Sequence, residues 1–453
     1  SAVELSEKLF EIVDHLNLGR ELIADKSERI ELAKLNFEAG KKAKDSTAYA
    51  AAFGYLTAGM ELADNGWQEC YDLMLALHNE ALEAANLSGN YDQMNVLVEV
   101  VLQQAKTLLD KMKVYQVQIQ ASVSQGNTKA AIKIGLAVLK FLGLILPEEP
   151  SQLDIQAGLQ ETASLSARQE IEDLINLPEM TDPEQLAAMD MLASIISATY
   201  VAAPQLFVLV VLSKVNLSIK YGNTSVSPFG YVTYGILLCG VLGELDLGYR
   251  FGQLALNLVS KLNAKKISAR TSFVVSGFIR HWREHIRESV KPLQSAYSIG
   301  VETGDLEYAG LALYLSFVHA YFSGKELTKL EPEIVPYRDA LSNIKQEVAV
   351  EYHKIYGQAV LNLLGKAENP CRLIHEPGDE EALLPLHYST NNGCTLHYFY
   401  ANKLLLCYLF ENYPEALKSA ALAEKYLEAA PGLVVVAVFH FYDSLARLAV
   451  YPD

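Results

Sequence analysis

Apolar residues along this chain recur three and four positions apart for most of its length, which is the period of an α-helix. Leu97, Val101, Leu102, Ala105, Leu108 and Leu109 form one such stripe. Runs of alternating apolar and polar residues flanked by Asn-Gly or Asp-Gly turns, the mark of β-hairpins, are almost absent. The pattern predicts an all-α protein.

The helical stripes repeat with a common grammar. Near the C-terminus, Glu411, Tyr413, Ala416, Ala420 and Ala423 precede Pro431, and Leu404 and Cys407 lie upstream. This reads as a helix, a tight turn, a second helix and a proline stop. The small residues let two backbones approach, and Tyr413 fills the wedge at the turn. The same arrangement recurs at Gly89-x-Tyr91-x-x-Met94, Gly126-x-Thr128-x-x-Ala131, Gly243-x-Leu245-x-x-Gly248 and Tyr49-x-x-Ala52. The turn positions Tyr49, Tyr91, Thr128, Leu245 and Tyr413 are separated by 42, 37, 117 and 168 residues. The two long gaps divide into units near 40, which predicts two degenerate copies before Leu245 and three after it. Self-similarity at this period predicts a right-handed superhelical solenoid of tetratricopeptide-like helix hairpins, about ten pairs in all. First helices of each pair are expected to line a concave groove.

Four regions follow: a helical lead-in over 1–40, N-terminal repeats over 41–146, variant hairpins over 147–222 and C-terminal repeats over 223–453. The variant region carries Pro147, Pro150, Pro178 and Pro183 around two helical patterns, Gln152–Leu165 and Ala167–Leu177. A second irregular loop spans Asn369 to Pro385, with Pro377 and Gly378 beside the acidic run Asp379-Glu380-Glu381.

Composition narrows the function. A net charge of -17 repels phosphate backbones, so nucleic acid is not an expected partner. The longest apolar runs, Leu206–Leu212 and Leu433–Val438, are far short of the ~20 residues that span a bilayer. Five scattered cysteines without a CxxC pair read as reduced, buried thiols of a cytoplasmic protein. The opening Ser1-Ala2-Val3 reads as the start of a piece of a longer protein.

Several strings together carry a resemblance: Glu38-Ala39-Gly40-Lys41-Lys42-Ala43-Lys44, Ala48-Tyr49-x-x-Ala52, Trp67-x-x-x-Tyr71, Leu87-Ser88-Gly89-Asn90-Tyr91, Leu177-Pro178-x-Met180-x-Asp182-Pro183 and Leu217-Ser218-Ile219-x-Tyr221-Gly222-Asn223. They resemble the helical-repeat region of large bacterial signalling proteins, common in cyanobacteria, that join a serine/threonine kinase, an AAA-type ATPase, helical repeats, a GAF sensor and a histidine kinase. The resemblance implies a regulatory segment whose partners are protein or peptide segments, foremost domains of the same parent chain. It also implies that the opening helix, Leu5 to Leu18, ends a preceding ATPase module. The architecture further resembles the sensor segment of the maltose-regulon activator, which makes a small-molecule sensor an alternative.

The chain itself lacks catalytic strings. No GxxxxGK[ST] loop, His-Arg-Asp or Asp-Phe-Gly is present, so no enzyme activity, cofactor or metal is expected. One motif competes: His281-Trp282-Arg283-Glu284-His285 fits the H-x-x-E-H pattern, in which two histidines one turn apart on a helix hold zinc and the glutamate is general base. Arg280, Arg283 and Arg287 beside it disfavour a dication. The binding candidates are instead Arg280, Trp282, Arg283 and His285, a cationic and aromatic cluster suited to an acidic peptide or anionic ligand. A second crowd, His387, Tyr388, His397, Tyr398 and Tyr400, is read as core and turn packing.

Overall fold

The computed structural model describes residues 8–63, 66–373, 384–385, 387–388 and 392–451. The chain is all-α. In order the helices are α1 (Leu9–Leu18), α2 (Lys26–Asp45), α3 (Tyr49–Leu62), α4 (Tyr71–Leu87), α5 (Tyr91–Gln104), α6 (Met112–Ser124), α7 (Thr128–Phe141), α8 (Gln152–Ser166), α9 (Pro183–Ala202) and α10 (Pro204–Tyr221). They continue as α11 (Ser227–Leu237), α12 (Leu245–Lys261), α13 (Ser268–Val274), α14 (Val290–Thr303), α15 (Leu306–Phe322), α16 (Leu327–Asn343), α17 (Glu347–Leu363), α18 (Gly393–Leu409), α19 (Tyr413–Glu424) and α20 (Val434–Ala449). Among the described residues no strand forms. An isolated β-bridge joins Glu179 and Asn223.

All five turn positions singled out by the repeat are the first residues of second helices: Tyr49, Tyr91, Thr128, Leu245 and Tyr413 open α3, α5, α7, α12 and α19. The local cause is a left-handed residue two positions earlier. Gly89, Gly126 and Gly243 have φ near +75°, and Thr47 and Glu411 take the same conformation at +59° and +60°. That residue reverses the chain, and in three of the five turns the next one caps the new helix with its side chain. Asn90, Asn127 and Asn412 accept from the N–H groups of Gln93, Ala130 and Glu415, satisfying donors that a helix start otherwise leaves bare.

The chain divides into two units. Unit 1 comprises residues 1–156 and 181–210. Here α2/α3, α4/α5 and α6/α7 are successive hairpins, and the first helices α2, α4, α6 and then α9 pack in series. Lys44 on α2 pairs with Glu80 and Glu83 on α4, and Glu83 reaches on to Lys113 on α6 at 2.8 Å. This ladder of charges runs along the first-helix layer. Helix α2 runs unbroken through the expected boundary at residue 40, and α5 ends at Gln104, so Leu108 and Leu109 fall in the following turn.

Unit 2 comprises residues 157–180 and 211–453. Its first-helix series is α11, α13, α15, α17, α18 and α20, each packed on the next, with α12, α14, α16 and α19 as second helices. Three copies were expected between Leu245 and Tyr413. Two are complete, α13/α14 and α15/α16, and α17 opens the third. The acidic run Asp379-Glu380-Glu381, with Pro377 and Gly378, lies outside the described residues.

The variant region departs from expectation in one place. Helix α8 forms where the Gln152–Leu165 pattern predicts it, but Ala167–Leu177 holds only a turn and a 3₁₀ segment, Ile171–Asn176. Pro178 is the reason: it pushes Leu177 into an extended conformation, leaving too few residues for an α-helix. The 20-residue α9 then starts cleanly, with Asp182 accepting from Glu184 and Gln185 N–H and Pro183 in the first turn. By length and composition α9 is the one helix among the described residues able to cross a membrane, and half of its apolar window is buried in the fold. All five cysteines are free thiols, and Cys239, Cys371 and Cys407 are buried as expected while Cys70 and Cys394 are only half-buried.

Candidate functional site

The His281–His285 segment lies where α13 stops being an α-helix. Val275–Ile279 widens into a π-helix, Arg280–Trp282 tightens into a 3₁₀ turn, and the chain turns again before Ile286. Residues 281 and 285 therefore do not share a helix face. His281 turns inward, its ring 4.9 Å from Trp282 and 5.9 Å from His319 of α15. His285 is exposed, and its Nδ1 accepts from the backbone N and Nε of Arg287 at 3.2 Å. Glu284 accepts a 2.6 Å hydrogen bond from Tyr249. The zinc arrangement is thereby undone: its premise was one continuous helix, and no three potential ligands gather among the described residues. Metal analysis of the purified protein is expected to find no stoichiometric zinc.

Of the four binding candidates, Arg280 and Arg283 both lie near Tyr249 of α12, and each has an acidic neighbour of its own. Arg283 is spent on Asp246 of α12 at 2.5 Å. Arg280 lies 3.5 Å from Glu284 and donates to the Glu288 carbonyl. The Trp282 indole N–H donates to the Phe278 carbonyl, which satisfies the backbone that the π-segment displaces. Arg283 and His285 are exposed, and Arg280 and Trp282 are half-buried. The cluster's positive charge is largely matched by its own neighbours.

The structure gathers something else in unit 2. Residues Ala312–Tyr321 of α15 and Thr395–Asn402 of α18 are buried without a break, so these helices are covered on every face. Aromatic rings fill the space between first helices. Tyr314 and Tyr398 hydroxyls meet at 3.3 Å, across α17, and the Tyr398 ring packs at 5.0 Å on Tyr352. No open groove runs along α15 and α18. The series also closes on itself: a Cβ at Gly240, in the π-helical end of α11 (Leu238–Leu242), would lie 3.0 Å from the backbone N of Gly432, in the turn before α20. A Cβ at Gly432 would in turn lie 3.7 Å from Phe278.

Within this interior α15, α17 and α18 each carry one buried histidine, His319, His353 and His397, with half-buried His281 in the turn after α13; the four lie at intervals of 38, 34 and 44 residues. His353 and His397 each reach a backbone carbonyl, of Ile334 and Ala423. Neither ring nitrogen of the fully buried His319 has a hydrogen-bond partner. Burial pushes His281, His319 and His353 down to about 4, 3 and 4. Sequence reasoning took His281 and His397 one at a time; the repeat spacing of all four was the signal available. In the second crowd, Tyr388 and Tyr400 hydroxyls bond to each other and His397 caps Ala423, as packing requires.

Two strings that carry the family resemblance also meet. Asn223 N–H donates to the Pro178 carbonyl at 2.8 Å and Met180 N–H to the Asn223 carbonyl at 2.9 Å. The Asn223 side chain donates to Leu174 and accepts from the Tyr231 hydroxyl, while Ser218 and Ser227 hydroxyls share a hydrogen bond. Every one of these residues outside the 174–180 segment is buried. They form a polar clasp that holds the Leu174–Met180 segment to the end of α10.

No family model matches the chain. Among solved structures it aligns with a circular tandem repeat protein with novel repeat topology and enhanced subunit contact surfaces, at 13% identity over 97% of this chain and 95% of that one, with a TM-score of only 0.15. Among curated proteins it matches the hybrid signal transduction histidine kinase G of Dictyostelium discoideum, 24% identical over 337 residues, or 68% of this chain. The chain spans only 10% of the length of that protein. It is thus an all-helical repeat chain similar to one segment of a signal-transduction histidine kinase.

Proposed function

We propose that the chain is a non-catalytic regulatory segment of a multidomain signalling kinase and that it works in the cytoplasm. The observation that carries this reading is the 24% match along two thirds of the chain to part of a histidine kinase. Stacked hairpins suit the role, because each contacts only its neighbours and small changes at each interface add along the array. The partners are other domains of the same parent chain, an ATPase and a kinase. The Gly240–Gly432 meeting is the element whose make or break would be transmitted: it links the first and last hairpins of unit 2, so its opening changes the separation of that unit's ends.

Gly240→Leu tests this in the complete parent kinase. A Cβ at position 240 would already lie 3.0 Å from the Gly432 backbone N, so a branched side chain there presses on the contact. Autophosphorylation is expected to change at least about fivefold, the low end of a typical coupling energy. Hydrogen exchange at the 430–434 turn reports whether the contact has opened. An opened contact with an unchanged rate sinks the coupling.

The closed aromatic interior of unit 2 favours a second reading, in which the segment senses a small molecule. That reading predicts thermal stabilisation by one metabolite, read by a screen against the intact chain.

A further inference from the structure

Unit 1 contains a cavity of about 330 Å³ lined by Arg20, Glu21, Ile23, Arg29, Glu61 and Leu62. The first three residues come from the 3₁₀ turn after α1 and the extended residue behind it. Arg29 stands in the first turn of α2, and Glu61 and Leu62 end α3. Arg20 Nη1 pairs with Glu61 Oε2 at 2.9 Å, and Arg29 Nη2 donates to the Glu61 carbonyl at 3.3 Å. Arg29 Nε is buried with no hydrogen-bond partner.

We infer that this cavity binds a free aliphatic α-amino acid. Two guanidinium groups and two carboxylates line it, so its charge sums to zero while both signs are present. A phosphate or other anion meets Glu21 and Glu61; a cation meets Arg20 and Arg29; an apolar molecule strips water from all four without replacing it. A zwitterion offers a partner to each sign without breaking the Arg20–Glu61 pair. Its carboxylate takes Arg29 Nη1 in a charge-assisted hydrogen bond, Nη2 being held by the Glu61 carbonyl. Its ammonium lies between Glu21 and Glu61. Its side chain rests on Ile23 and Leu62.

The two helices reinforce the order of charges. The start of α2 carries the positive end of a helix dipole and the end of α3 the negative end, so the carboxylate and ammonium each face the favourable pole. The volume sits at the low end of the range for small-ligand pockets, which suits a single amino acid. A peptide separates its ammonium from its carboxylate by at least one more residue and cannot offer both here. This site stands independently of the regulatory reading.

Calorimetric titration of the full chain with L-leucine tests the assignment, with L-leucine methyl ester and 4-methylpentanoate as comparators lacking the free carboxylate and the ammonium. Binding of L-leucine at up to ~10 mM is expected, at least about tenfold tighter than either comparator, the value of one charged hydrogen bond. Arg29→Gln and Glu21→Gln are each expected to weaken L-leucine by about tenfold or more. Glu21 is exposed, so its variant keeps the fold even where Arg29→Gln does not. No heat with L-leucine, equal binding of all three compounds, or Glu21→Gln binding as the parent does would each overturn the site.

Discussion

Acidification to about pH 5 is expected to unfold unit 2 while unit 1 still holds. The cause is the column of buried histidines. In the unfolded chain these rings take up protons near pH 6.5. In the fold, burial holds His281, His319 and His353 at about 4, 3 and 4. Between those values the unfolded state binds more protons, so the stability is complete above pH 6.5 and drains away as the pH falls towards the folded values. At pH 5 each of the three rings has forfeited about 2 kcal/mol, roughly 6 kcal/mol together, against a typical total of 5–15. The surroundings add to the effect: His281 and His319 face each other, Arg338 lies beside His353, and His440 lies beside His397, which is also shifted down. Unit 1 has a single counterpart, His78.

The chain carries its own reporters. It has two tryptophans, Trp67 in unit 1 and Trp282 in unit 2. Trp67→Phe leaves fluorescence that follows unit 2, and Trp282→Phe leaves fluorescence that follows unit 1. The Trp282 signal is expected to change between pH 6 and 5 and the Trp67 signal at lower pH. A Trp282 signal flat down to pH 4 contradicts the account.

Gly222→Ala is expected to cost at least about 3 kcal/mol in urea unfolding. Gly222 has φ +107°, a conformation that residues with a Cβ avoid, and an added Cβ would lie 2.3 Å from the Pro178 carbonyl oxygen. That oxygen is the acceptor of the Asn223 N–H. Relieving the clash therefore pulls apart the clasp and strands buried polar groups of Asn223. Gly89→Ala is the control. Gly89 also has positive φ, but nothing lies within 4 Å of the added atom, and the loss should stay near 1–2 kcal/mol. Equal effects at the two positions would show that backbone conformation alone, not the clasp, sets the cost.

The parts of this fold that were legible from the sequence are those set by local chemistry. A Gly-Asn step before Tyr91 or Thr128 reverses the chain and caps a helix using residues within a few positions of one another, and the repeat spacing made Tyr49, Tyr91, Thr128, Leu245 and Tyr413 legible as turn positions. The stop at Pro178 was visible as a proline but not as a 3₁₀ segment, because that depends on how few residues remain between α8 and the clasp. The Arg283–Asp246 pair and the His281–His319 contact join residues 37 and 38 apart on neighbouring hairpins, and helical periodicity does not state which faces meet. The π-segments were invisible for a similar reason: their sequence, Val275-Ser276-Gly277-Phe278-Ile279, reads as ordinary helix.

The contact between Gly240 and Gly432 sets a limit on how unit 2 can vary. An open array tolerates the gain or loss of a whole hairpin, because only the two flanking neighbours notice. Here the two glycines meet only when a fixed number of hairpins stands between them. Duplicating or deleting one would carry Gly432 away from Gly240 by the rise of a full repeat. Length change in this protein should therefore be confined to loops, and hairpin number in unit 2 should behave as a fixed dimension of the molecule.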